Sequence, residues 1–256
     1  MPKDEKRNSP ALDTSGGLAG RFQAGSLDHA LLVVINGPPR TGKDHAARAI
    51  AASSAYLGRP TVIRRISDEL KLYTHRKYGV GELPADHFEA VKDVPCAGFG
   101  GRTPRQAYIE TSEKVIKPEF GEGALGDLLS ERMLAENDTG EVAPESVYLL
   151  PGAGCWPEVE PIAALFSPSR IFLLRVSAAP VAGNEAGKAR LTDYRGDLAE
   201  LERAGVQTGQ LVNDFTESFT ALARERVADF LSMHEIGRIA GRETGKERSD
   251  EAFSPA

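Results

Sequence analysis

The sequence predicts an α/β fold: a three-layer domain with a five-stranded parallel sheet and helices on both faces. Three observations carry that expectation. Short apolar runs alternate along the chain with stretches of helical composition, as a parallel sheet with crossover helices requires. Several of those runs are apolar at almost every position, as strands buried on both faces are. The first run passes through a glycine-rich turn straight into an alanine-rich helical pattern. At 256 residues the chain is long enough for one such domain with a full core.

Taken in order, residues 1–28 are rich in Gly, Ser, Pro and charge without sustained periodicity, and are expected to form a flexible arm. LLVVIN (31–36) reads as a buried strand, 44–57 as a helix, and PTVIRRIS (60–67) as a second strand leading into the helix ELKLYTHRKYG. TPRQAYIETSEKVIK (103–117) has strong start signals: Thr103 as N-cap, Pro104 at the first helical position, and Gln106 completing a capping box. SVYLLP (146–151), RIFLLRVS (170–177) and TGQLVND (208–214) supply three further strands, and FTESFTALARERVADFL a closing helix. The domain is placed at 29–231, and 232–256 reads as a second flexible end.

The bulk numbers narrow the function. Net charge is −6 with a pI near 5.5, so any affinity for nucleic acid must come from a local basic site. No apolar run approaches the ~18 residues of a membrane span, and MPKDEKRNSP lacks the apolar core of a signal peptide. Cys96 and Cys155 have neither metal-site nor redox spacing and suit packing in a reducing cytoplasm. There is no Cys/His constellation for zinc and no G-x-S-x-G elbow for a hydrolase.

The informative chemistry lies in GPPRTGKDH: Gly37, Pro38, Pro39, Arg40, Thr41, Gly42, Lys43, Asp44 and His45. Gly37, Gly42 and Lys43 match G-x-x-x-x-G-K between a strand and a helix, the context that makes this motif specific for nucleoside triphosphates. The glycines let successive N–H groups turn inward, the helix start adds positive potential, and Lys43 reaches the β- and γ-phosphates. Asp44 stands where Ser or Thr usually offers a hydroxyl to magnesium. A carboxylate is itself a hard-cation ligand, and it also suits the first turn of a helix; both readings stay open.

GPPRTGKDHAA resembles the loop of phage deoxynucleoside monophosphate kinases, which carry an R-x-G-K-D version. The likeness extends into SDELK (67–71) and the strand and helix around LVND. TPRQAYIETSEKVIKPEFG (103–121) looks closer still to the phage P-loop kinases that phosphorylate 5-hydroxymethyluracil in DNA on the way to hypermodified thymines. The resemblance covers about residues 31–231, and implies a strand order 2-3-1-4-5, ATP and Mg2+ as cofactors, and transfer of the γ-phosphate to that base in DNA. The alternative acceptor is a free pyrimidine deoxynucleoside monophosphate, which the acidic net charge favours. A third reading, a nucleotide-binding switch without an acceptor, predicts ATP binding and no product. One departure stands out. Many P-loop enzymes end the third strand with a magnesium-holding aspartate, whereas VYLLPGAG puts Pro151 there, which shifts the metal duty toward Asp44, water or an acid from elsewhere.

On the acceptor side, Asp68 follows the second strand at the edge where open α/β sheets bind ligands, and is the first choice to orient the acceptor or take its proton, with helix capping as the alternative. Lys71 shares its face; Asp93 is a second acid. Arg102 and Arg105 bracket the start of the 103–117 helix, and Arg105 is the better phosphate clamp. Tyr108 and Trp156 are candidates for base stacking or packing, and Glu113 and Lys117 for an i,i+4 pair. Lys188, Arg190 and Arg195 lie in a glycine-flanked stretch that corresponds to the lid of nucleotide kinases, where Arg190 and Arg195 would close over the phosphates. Asn213 and Asp214 end the last strand on the adenine side.

Overall fold

A computed structural model describes residues 23–53, 58–178 and 198–250, with side chains described as far as residue 234. Five strands, β1 (Leu31–Asn36), β2 (Thr61–Ile63), β3 (Val147–Pro151), β4 (Ile171–Ala178) and β5 (Gln207–Asn213), form one sheet in the order β2-β3-β1-β4-β5. Every pairing is parallel. The sheet and its order agree with the sequence expectation.

The helices are α1 (Lys43–Ala51), α2 (Ile66–Tyr78), α3 (Pro104–Thr111), α4 (Lys117–Phe120), α5 (Ala124–Asp138), α6 (Trp156–Ala163), α7 (Ala199–Arg203) and α8 (Ser218–Asp250). A π-turn over Ser112–Ile116 joins α3 to α4. β1 is buried at all six positions, and its period of two divides it between two cores. Leu32 and Val34 pack with Tyr148, Leu150 and Leu173 against α5 and α6, through Leu129, Met133, Val159 and Ile162. Leu31, Val33 and Ile35 pack with Leu149, Phe172 and Leu174 against α1 and α8, through Ala46, Ile50, Ala223 and Phe230. These are the three layers.

The differences from the sequence reading have physical causes. β2 stops at Ile63 instead of running to residue 67, because it is an edge strand paired only with β3, and Ile66 already belongs to α2. Packing starts before residue 29: Leu27 is buried and its N–H bonds Leu165 O at 2.8 Å, which ties 23–30 to the turn after α6. At the other end α8 continues through residue 232 to Asp250. Among the described side chains the last buried apolar position is Leu231, and 232–250 contains no proline and many helix formers, so the backbone stays helical beyond it. Lys188, Arg190 and Arg195 lie outside the described residues.

Candidate phosphate site

The loop 37–43 crosses the C-terminal edge of the central strand. Gly37 has φ 153°, and a Cβ there would stand 2.0 Å from the carbonyl oxygen of Val176 on β4, so only glycine lets the chain leave β1 at this angle. Arg40 and Gly42 take positive φ, 65° and 94°, on either side of Thr41. Such alternation turns backbone N–H groups toward one concavity, the arrangement that receives anions. A left-handed arginine costs about 1–2 kcal/mol, the kind of strain that collects at functional loops.

Three polar contacts hold this shape. Thr41 Oγ1 donates to Pro38 O at 3.0 Å, and Lys43 Nζ donates to the same oxygen at 2.6 Å, so the ammonium is curled across the loop. Burial pulls the Lys43 pKa below its usual value, with Asp44 opposing. From outside, the buried Asn213 at the end of β5 donates Nδ2–H to Thr41 O at 3.0 Å, and its Oδ1 accepts from Phe215 N at 2.8 Å. Asn213, placed on the adenine side by the sequence, is thus committed to the loop backbone. Asn36, which closes β1, donates to Ala153 O at 2.7 Å and stitches the loop's root to the turn after Pro151.

Asp44 opens outward from α1 and meets Arg65, whose Nε lies 2.9 Å from Oδ1. Arg65 is also 3.9 Å from Asp68, Lys71 lies 3.6 Å from Asp68 and 3.3 Å from Glu89, and Glu89 pairs with Lys92. The Lys92 hydrogen bond, with help from Lys71, holds the Glu89 carboxyl below its ordinary range. The Lys92 carbonyl then accepts from Arg105 N at 3.0 Å. A chain of alternating charge therefore runs from the loop to Lys92, and a backbone hydrogen bond carries it on to the first turn of α3. Asp68 sits inside the first turn of α2, where Arg65 is the N-cap, so the capping alternative for Asp68 does not apply.

The other candidates have definite partners. Arg105 forms a two-pronged pair with Asp93, which raises the arginine pKa and lowers the aspartate's. Arg102 pairs with Glu110 at 2.9 Å. Lys117 holds Glu113 at 2.8 Å and Glu122 at 3.3 Å. Thr103 and Gln106 make both bonds of the expected capping box. Tyr108 is not an open platform: its hydroxyl meets Nε2 of the buried His75 at 3.0 Å, and its ring packs on Phe99. Burial pushes the Tyr108 hydroxyl up to about 12. Trp156 packs, partly buried, against the α5–α6 core. Arg65, Asn36 and Glu89 were not singled out from the sequence; the only signal was a polar residue closing an apolar strand, for Asn36.

The donor set suits magnesium in one particular way. Among the described residues no group of three or more His, Cys, Asp or Glu side chains is arranged to hold a metal. Magnesium in phosphate sites is held by one or two carboxylates together with phosphate oxygens and water, and Asp44, a largely exposed carboxylate beside Lys43, fits that role. Among the described residues no helix is long and apolar enough to cross a membrane. Comparison with protein-family models finds no match, and comparison with curated proteins finds no significant relative.

Proposed function

We propose that this protein is an ATP-dependent kinase that transfers the γ-phosphate to the hydroxymethyl group of 5-hydroxymethyluracil in DNA. The observation that carries the kinase reading is the loop itself. Positive φ at Arg40 and Gly42, a glycine-only exit at Gly37 and a lysine folded across the concavity lie together at the C-terminal edge of β1. The choice of acceptor rests on the resemblance of residues 103–121.

In this reading the loop amides and Lys43 hold the β- and γ-phosphates, Lys43 exchanging the Pro38 carbonyl for phosphate oxygen. Asp44 holds magnesium directly or through water, and the ion supplies charge neutralisation on the triphosphate. Asp68 orients the acceptor hydroxyl and takes its proton as the acceptor oxygen bonds to the γ-phosphorus and the bond to ADP breaks. Arg105 offsets charge on the acceptor side.

A second reading, a free pyrimidine deoxynucleoside monophosphate as acceptor, is favoured by one observation: Arg102, Arg105 and Lys117 around α3 are each neutralised by a carboxylate, which weakens any attraction for a DNA backbone. Incubation with γ-labelled ATP and parallel acceptors separates the two. Label in hydroxymethyluracil-containing oligonucleotides, falling as salt is raised, supports the DNA acceptor; label only in monophosphates defeats it. Lys43→Ala abolishes ATP binding in either reading. Bound ATP with no labelled product on any acceptor defeats both.

A further inference from the structure

Consecutive arginines leave the end of β2 in opposite directions, as extended backbone dictates. Arg64 turns toward α5, where Glu136 binds it at 2.9 Å. Arg65 turns over the phosphate loop and stands between two carboxylates from different parts of the chain, Asp44 at 2.9 Å and Asp68 at 3.9 Å. Asp44 comes from the first turn of α1 and Asp68 from the first turn of α2, and Arg65 is the side chain that links them. They are also the two carboxylates to which the kinase reading gives the metal and the acceptor. The guanidinium occupies the place of a cation between them.

We propose that Arg65 is a displaceable internal counter-ion: it neutralises Asp44 and Asp68 in the empty site and gives up Asp44 when a divalent cation binds there. This deepens the kinase reading and rests on it. Released from Asp44, Arg65 lies at the rim of the loop with a planar donor fork suited to phosphate. Asp68, which then no longer shares the guanidinium with Asp44, also keeps Lys71. Arg65 is a positioning residue that makes the acceptor acid's surroundings depend on whether the loop is loaded.

The test uses Mn2+ alone, without nucleotide, with free ion counted by its electron paramagnetic resonance signal. Competition by a partly exposed ion pair is modest, so Arg65→Met binds Mn2+ about three- to tenfold more tightly than the parent. The gain disappears in Arg65→Met/Asp44→Asn. Arg65→Gln, which keeps a polar side chain, repeats the gain if the methionine variant folds poorly. Unchanged or weaker Mn2+ affinity in the folded variants, or a gain that survives Asp44→Asn, overturns the proposal. Calorimetric titration of the parent with ATP judges the kinase reading separately: absence of ATP binding defeats that reading, while the Mn2+ comparison still decides who holds Asp44.

Discussion

Replacing Gly42 with alanine tests whether the loop is held by its contact with the end of β5. At φ 94° an L-residue is strained, by about 1–2 kcal/mol. The new Cβ stands 2.6 Å from Asn213 Nδ2 and 3.3 Å from the Phe219 ring. The Asn213 amide is fixed at both ends, by Thr41 O and by Phe215 N, so making room breaks the 3.0 Å bond to Thr41. A buried hydrogen bond lost in this way costs about 1–3 kcal/mol. Together these predict a loss of about 2–5 kcal/mol in urea unfolding, with weaker ATP binding at temperatures where the variant is folded. Gly79→Ala is the internal control: it has φ 65° at the end of α2, with nothing within 4 Å of the added carbon, so it carries the backbone strain alone, about 1 kcal/mol. If Gly42→Ala costs no more than Gly79→Ala, Asn213 is not what holds the loop.

Two further predictions concern buried ionisable groups. Glu69 is buried with Oε2 on Arg132 at 3.0 Å and no partner for Oε1, and burial raises its pKa while Arg132 opposes. The folded state therefore binds this proton more tightly than the unfolded state, and stability falls as pH rises through the interval above 4.5. Arg132→Met removes the opposing charge, so its destabilisation in urea is larger at pH 7 than at pH 5; an equal loss at both refutes the pairing. His75 behaves oppositely: burial lowers its pKa below 6.5, so stability present above 6.5 is lost as pH falls through the folded value. Hydrogen exchange in residues 80–103 should quicken over that acid range, and His75→Gln should flatten the dependence.

How much of this was legible depends on where each interaction lives along the chain. β1, β3 and β4 are buried on both faces, so their continuous apolar runs declared them. β2, an edge strand, carries no such mark and was read too long. α5 was not marked in advance; its first turn, Ala124 to Asp127, is buried throughout, because Gly126 lies close enough to α6 that a Cβ would meet Glu158 O at 2.0 Å. The loop was legible because its parts are contiguous. Arg65 was not, since its meaning arises only when the end of β2 meets the start of α1. The π-turn at Ser112–Ile116 lay beneath a segment that reads as one ordinary helix, and a period of 3.6 cannot announce an extra residue per turn. Local chemistry was readable; adjacency was not.

The strand order has a consequence for synthesis. β1 is made first but lies in the middle of the sheet, and both its neighbours come later: Leu31 pairs with Val147, and Leu32 with Ile171. At about 5–20 residues per second the roughly 115 intervening residues take about 6–23 s to emerge. Through that interval LLVVIN, apolar and rich in β-branched residues, has no strand to pair with, and such segments are prone to join one another. The same run that leads into the loop 37–43 is thus a part of the nascent chain that stays prone to association until β3 and β4 emerge.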